Sequence, residues 1–215
     1  MSMRRILQCA ALCLLVSPMA AQAAPTVITF ESLSDSDAVT AQFAGLGLTF
    51  TNTTALTSGI SLNELDFPPH SGVNAVFDDG GPISISLSTP VVILGGFFTY
   101  VQPLTLSAFD ASHALLGSVT SAFGNNTVSG GDASSTPNEL LQLSFATGIS
   151  SVTITGNPAG GSFVLDDVTF DPRASTSAVP EPGTLGLVLV GVVGLARRVR
   201  GRSVDNDLVR SDRIS

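Results

Sequence analysis

Between Pro25 and Pro172 the chain carries thirteen Asp and Glu residues and no Lys or Arg. Carboxylates without cationic partners face water, work in pairs as acid and base, or hold a hard cation such as calcium, which takes oxygen ligands. For glycoside hydrolysis the pair would come from Glu64, Asp66 and Glu139. His70, in the loop after Phe67-Pro68-Pro69, is placed to join Glu64, Asp66, Asp78 or Asp79 in a metal or acid/base cluster. His113 ends the turn Asp110-Ala-Ser-His and reads as an exposed turn residue. No Gly-x-Ser-x-Gly elbow and no His-Glu-x-x-His run is present. The sequence has one Tyr and no Trp, so the rings on which sugars usually stack are scarce, which weighs against hydrolysis and tight sugar binding alike. Nucleic acid and anionic membrane surfaces are excluded as partners of this stretch, since nothing in it neutralises phosphate.

The elements that must position these groups read as β. Ser, Thr, Gly, Val, Leu, Ile and Phe dominate, and no stretch between Pro25 and Pro172 sustains a helical period. Strands are expected at 26–30, 46–51, 83–88, 91–100, 104–109, 115–121, 140–145, 151–155 and 162–170. Alternation in Ile83/Ile85/Leu87, Leu141/Leu143/Phe145 and Val152/Ile154 implies one buried face per strand. Turns fall at Asp79-Gly80-Gly81-Pro82, Asp110 to His113, Gly124-Asn125-Asn126, Gly130-Gly131-Asp132 and Gly156 to Gly161. Many short strands at this spacing predict an all-β fold, a two-sheet antiparallel β-sandwich of jelly-roll type. The phrases around Pro90 and Gly95-Gly96 read as hairpins with an edge or bulged strand.

The last strand, Ser162 to Phe170, holds the most conspicuous carboxylates. Without a bulge Asp166 shares a face with Val164, Val168 and Phe170; with a bulge the phase slips and Asp167 takes that place. Either way a carboxylate occupies an apolar position, where it must be protonated, hydrogen-bonded or on a cation.

Both ends of the chain read as addresses. Arg4 and Arg5 precede an apolar run from Ile6 to Val16, and Ala21-Gln22-Ala23 has the small-x-small pattern of signal peptidase, placing cleavage after Ala23. Cys9 and Cys13 lie in the removed segment, so the mature protein would have no thiol, disulfide or thiolate metal site. At the other end, Pro180 and Pro182 forbid a helix upstream of about Gly183. The run from Gly183 to Ala196 is apolar on every face, and its 14 residues would reach roughly 21 Å as a helix, against about 30 Å of hydrocarbon. Arg197, Arg198, Arg200 and Arg202 then fit a cytoplasmic membrane stop.

Val179-Pro180-Glu181-Pro182, the Gly/Leu/Val run and the arginine cluster together resemble the PEP-CTERM sorting signal of Gram-negative bacteria that make extracellular polysaccharide. The resemblance implies that Pro180, Glu181 and Pro182 are read and cut by the membrane peptidase exosortase, with 183–196 a transient inner-membrane anchor. Ser203 to Ser215 extend beyond the pattern as a polar tail. Thr29-Phe30-Glu31 and Leu165-Asp166-Asp167-Val168 resemble the terminal strands of jelly-roll carbohydrate-binding modules. That resemblance implies adjacent first and last strands and a structural calcium held by Glu31 and one of Asp166 or Asp167.

The expected organisation is a signal peptide at 1–23, a sandwich domain at 24–172, a linker at 173–178, the sorting signal at 179–202 and a tail at 203–215. The expected function is a non-catalytic, exported cell-surface or matrix protein associated with exopolysaccharide or biofilm. The alternatives are a calcium-stabilised carbohydrate-binding module and, further off, a secreted glycoside hydrolase.

Overall fold

The structure, a computed structural model, describes residues 24–172. The sequence expectations at Ala21, Ala23, Pro180, Glu181, Pro182, Arg197, Arg198, Arg200 and Arg202 lie outside the described residues.

Among the described residues nine strands form in chain order: β1 Thr26–Ile28, β2 Leu48–Thr51, β3 Thr53–Thr57, β4 Asn74–Asp79, β5 Ile83–Tyr100, β6 Thr105–Phe109, β7 Leu115–Thr120, β8 Glu139–Thr155 and β9 Gly160–Pro172. All pair antiparallel, in the order β3-β4-β9-β5-β8-β6-β7, with β1 on β9 and β2 on β5. Where sequence periodicity predicts two strands at 83–88 and 91–100, one long strand runs through, and 140–145 and 151–155 likewise merge. The interruption is a bend within one strand, in line with the bulged strand expected around Pro90. The β5–β8 register shifts between Ser86 and Val91 and again before Ile93, and Pro90, unable to donate to a ladder, sits in that gap.

The bend is what makes a sandwich of a continuous network. The first part of β5 pairs with β2 and the end of β8, and β8 there pairs with β6. The second part of β5 pairs with β9 and the start of β8. One layer is therefore β3-β4-β9-β5-β8 and the other β2-β5-β8-β6-β7. Their facing sides bury one core that includes Phe50, Ile83, Ile85, Leu94, Phe98, Leu106, Val152, Ile154, Phe163 and Leu165. Each such side chain contributes about 1.5–3 kcal/mol on burial. Phe30, Phe43 and Phe50 meet edge to face at 5.6–6.0 Å and close one end of that core.

β3 and β4 have no counterpart among the predicted strands. β3 follows β2 after a single residue, Asn52, in the left-handed region at φ 54°, and β4 begins with Asn74 and ends with Asp78 and Asp79, residue types depleted in strands. Here those polar ends are fastenings. Asp78 is fully buried and accepts from the backbone N–H groups of Ser162 (2.8 Å) and Phe163 (3.0 Å) and from the Ser162 hydroxyl (2.8 Å). Burial pushes its carboxyl pKa upward against those bonds.

Candidate functional site

Strand β9 carries a bulge at the carboxylate pair. Gly95 faces Thr169 while Phe97 faces Asp166, so β9 has one residue more than β5 across the same step. Asp167 takes up the excess in the left-handed region at φ 48°. The slip resolves the two phases open in the sequence. Phe163, Leu165, Val168 and Phe170 all enter the main core, whereas Val164 and Asp166 face the outer side. The face shared by Asp166, Val168 and Phe170 in a regular strand is thus broken, and both carboxylates serve the loop outside.

That loop, residues 58–73, folds back over the outer face of the first layer. Leu62 and Phe67 pack there with Ala75, Val164, Leu56 and Phe77 as a satellite core, and the His70 ring stacks on Phe97 at 3.5 Å and 6°. Beyond that stack the carboxylates fasten the chain. His70 Nδ1 lies 2.6 Å from Asp167 Oδ2, the Ser71 hydroxyl donates to Asp167 Oδ1 at 2.8 Å, and the Ser71 N–H donates to Asp166 Oδ2 at 2.8 Å. The other oxygen of Asp166 accepts from Asp167 N–H at 2.7 Å. Burial pushes the Asp166 carboxyl up to about 6, against the backbone donors that favour its charged form.

Glu31 reaches the same segment from the opposite end of the chain. Its Oε1 accepts from the N–H groups of Val73 (3.1 Å) and Asn74 (2.9 Å). Gly72, at φ +55°, passes so close that a Cβ there would collide with the Glu31 carboxylate. Asn74 completes the fastening, its amide donating to the carbonyls of Phe30 (3.1 Å) and Leu33 (2.9 Å) while its oxygen accepts from Thr57 Oγ1 at 2.7 Å. The three residues singled out in the sequence, Glu31, Asp166 and Asp167, therefore converge on His70–Asn74.

The chemistry of the cluster is that of a clasp. Ser71 donates to the carboxylate and not to the imidazole, so Ser71, His70 and Asp167 do not form a nucleophile with its base. Calcium takes six to eight oxygens. Here all four oxygens of Asp166 and Asp167 already have protein partners, and Glu31 Oε2 is the carboxylate oxygen of the three residues without one. Among the described residues no group of three or more His, Cys, Asp or Glu is arranged to hold a metal ion.

The remaining sequence candidates are dispersed. His70 joins Asp167 rather than Glu64, Asp66, Asp78 or Asp79. Glu64 accepts from Gly59 N–H, and Asp66 accepts from Ser129 N–H at 3.0 Å, tying loop 58–73 to the loop before β8. Glu139 bonds the hydroxyl of fully buried Tyr100 and accepts from Ala122 N–H; burial and Glu139 together push the Tyr100 phenol up to about 12. The lone Tyr is a core residue and offers no sugar platform. Asp110 closes the tight turn to Ala114, accepting from Ser112 and Ala114, with His113 at φ 63°.

Sequence reading missed a second feature, on the outer face of the second layer. Thr51, Ser84, Thr153, Ser107 and Ser118 lie opposite one another across β2, β5, β8, β6 and β7, with Thr49, Ser86 and Ser151 forming a parallel row. At strand spacings of about 4.7–4.9 Å these two rows are made of hydroxyl-bearing residues throughout. A cavity of about 500 Å³ opens along it, lined by Ser84, Ser86, Ser88, Thr153, Asp110 and His113. Alternation of Ser and Thr with Ile and Val was the available signal.

Beyond β9 the sequence runs into Val179-Pro180-Glu181-Pro182, the apolar run and the arginines, and here the comparison with known families is decisive. Residues 178–201 are a PEP-CTERM protein-sorting motif. The PEP-CTERM motif marks an exported, cell-surface protein and implies processing by exosortase. No curated protein matches the chain. Among solved structures, the K2 cleaved adhesin domain of Lys-gingipain is similar at 15% identity and TM-score 0.43, over 68% of this chain and 99% of that one. A DUF4465 family protein from Bacteroides caccae is similar at 10% identity and TM-score 0.46, over 70% and 100%. TmCBM61 in complex with β-1,4-galactotriose is similar at 14% identity and TM-score 0.39, over 67% and 94%.

Proposed function

We propose that the protein is a non-catalytic β-sandwich delivered to the cell surface and retained in, or released into, an extracellular polysaccharide matrix. The observation that carries this reading is the PEP-CTERM motif at residues 178–201, attached to a domain whose candidate catalytic carboxylates are spent on fastening loops. In this reading signal peptidase cuts after Ala23. The run 183–196 then holds the chain in the inner membrane against Arg197, Arg198, Arg200 and Arg202 until exosortase acts at Pro180, Glu181 and Pro182. The uncharged hydroxyl rows on the second layer and the absence of basic residues from Pro25 to Pro172 support a neutral, hydroxyl-rich partner rather than an anionic one. The test replaces Pro180, Glu181 and Pro182 by alanine and follows size and location. The wild-type chain is expected in the matrix fraction as the shorter form, and the variant in the membrane as the longer one. Identical processing of the two removes the reading.

A calcium-stabilised carbohydrate-binding module is the second reading. It is favoured by the convergence of Glu31, Asp166 and Asp167 on one five-residue segment. Glu31 Oε2 would supply the first ligand, with Asp167 exchanging its protein donors for the ion.

A further inference from the structure

Among the described residues three buried side-chain atoms have no hydrogen-bond partner: the hydroxyls of Ser58 and Ser150, and Oδ1 of Asp171. A buried polar atom left unpaired calls for a reason, such as stored strain or chemistry. For a carboxylate oxygen the cost is larger than for a hydroxyl, and Asp171 is only 7% exposed. It takes no part in the clasp at His70–Asn74 and none in the sorting motif.

Its neighbour in sequence supplies the reason. Asp171-Pro172 is the one Asp-Pro dipeptide in the chain, and it stands between the folded domain and the segment bearing the sorting motif. Asp171 lies opposite Ile93 and Pro172 opposite Val91, so the bond between them is held at the last rungs of β9. Pro172 contributes no N–H to that ladder, and its tertiary amide nitrogen makes a more basic leaving group than an ordinary peptide nitrogen. Oδ1 and the carbonyl carbon of Asp171 are joined through Cγ, Cβ and Cα, so attack of one on the other closes a five-membered ring. Fixed intramolecular reactants of this kind gain greatly in effective concentration, and a carboxylate oxygen that accepts no hydrogen bond keeps its lone pairs for attack.

We propose that the Asp171-Pro172 bond is a self-cleavage site, which frees the sandwich from its sorting segment independently of exosortase. Oδ1 of Asp171 adds to the carbonyl carbon of the same residue. The C–N bond to Pro172 breaks, its electron pair leaving with the nitrogen, which takes a proton from solvent and becomes a new amino terminus. Residue 171 is left as a cyclic anhydride, and one water opens it to free α- and β-carboxyl groups. The sum is hydrolysis of one peptide bond by one water, with no oxidant, reductant or metal.

The experiment uses the full chain carrying alanine at Pro180, Glu181 and Pro182, purified in detergent, so that exosortase contributes nothing. It is incubated in ¹⁸O-labelled water and followed by intact mass. The expected result is a fragment ending at Asp171 and its complement beginning at Pro172, with one labelled oxygen at residue 171 and first-order kinetics independent of protein concentration. Asp171→Asn should abolish cleavage without lowering the thermal melt, because Oδ1 has no partner to lose. Asp171→Glu, which keeps the charge but needs a six-membered ring, and Pro172→Ala should each slow it by at least about tenfold, or roughly 1.4 kcal/mol of barrier. The chain unfolded in guanidinium should also cleave at least about tenfold more slowly. Absence of the 171/172 products, undiminished cleavage in Asp171→Asn, or an equal rate in the unfolded chain overturns the proposal, the last outcome reducing it to ordinary Asp-Pro lability.

Discussion

Asp166 is a carboxyl group that the fold keeps protonated to a higher pH than the unfolded chain does: 1% exposed, with a pKa raised from 3.8 to about 6 chiefly by burial. The sign of its effect on stability follows. Between about pH 4 and pH 6 the unfolded chain has released a proton that the folded chain still holds, so this residue makes stability fall as pH rises through that window. Burial shifts Asp78 in the same direction, while hydrogen bonds lower Asp35, Glu64, Asp66 and Asp110 and pull the other way. Asp166→Asn cannot titrate and is expected to remove a contribution of roughly 1–3 kcal/mol from the pH dependence, read by urea unfolding at pH 4 and pH 6.5. An unchanged difference between the two pH values in the variant would show that the fold does not raise the Asp166 pKa. At this scale the sequence marked the anomaly and not its solution. An apolar strand interrupted by Asp166 and Asp167 is legible; that His70 and Ser71, more than ninety residues earlier, answer it is not, because pairing at that separation depends on tertiary placement.

Strand β9 is the element on which most of the site depends, and its bulge is opposed by a residue with no side chain. A Cβ at Gly96 would stand 2.6 Å from Leu165 Cδ1 and 3.3 Å from the Asp166 carbonyl oxygen. Leu165 is 1% exposed and cannot swing into solvent, so Gly96→Ala must shift β9 at the bulge that aims both carboxylates. A loss of about 1–3 kcal/mol is expected, accompanied by faster hydrogen exchange at Ser71 and Asn74, whose N–H groups are held by Asp166 and Glu31. Full stability with unchanged exchange would show that the bulge tolerates the methyl group. The alternation that predicts β6 and the two halves of β5 and β8, and the composition that predicts β2 and β7, are local signals, sufficient for those strands. They failed for β3 and β4, whose polar residues serve as fastenings between distant segments, and they split β5 and β8, because a strand that passes from one layer to the other interrupts its own alternation at the bend.

Across the whole domain, the first and last strands are neighbours: Thr26 lies opposite Phe170 and Ile28 opposite Val168. Glu31 and the Asp166-Asp167 pair extend that closure to the loop between β3 and β4, so three distant parts of the chain meet at His70–Asn74. Joining segments so far apart in sequence costs loop-closure entropy, and something must offset it. Hydrogen bonds alone and a bound ion offset it in different ways. A ligand that binds only the folded state raises stability by RT ln(1 + [L]/Kd), so millimolar calcium acting on a micromolar site would add about 4 kcal/mol. For a domain of this size that corresponds to several degrees or more in Tm. If the calcium reading holds, the purified protein melts higher in calcium than in chelator, and Asp166→Asn combined with Asp167→Asn abolishes that difference. If the clasp works by hydrogen bonding, the melts coincide in calcium and chelator. The double substitution then lowers both equally, since it weakens the acceptors for Ser71 and His70 whether or not an ion is present.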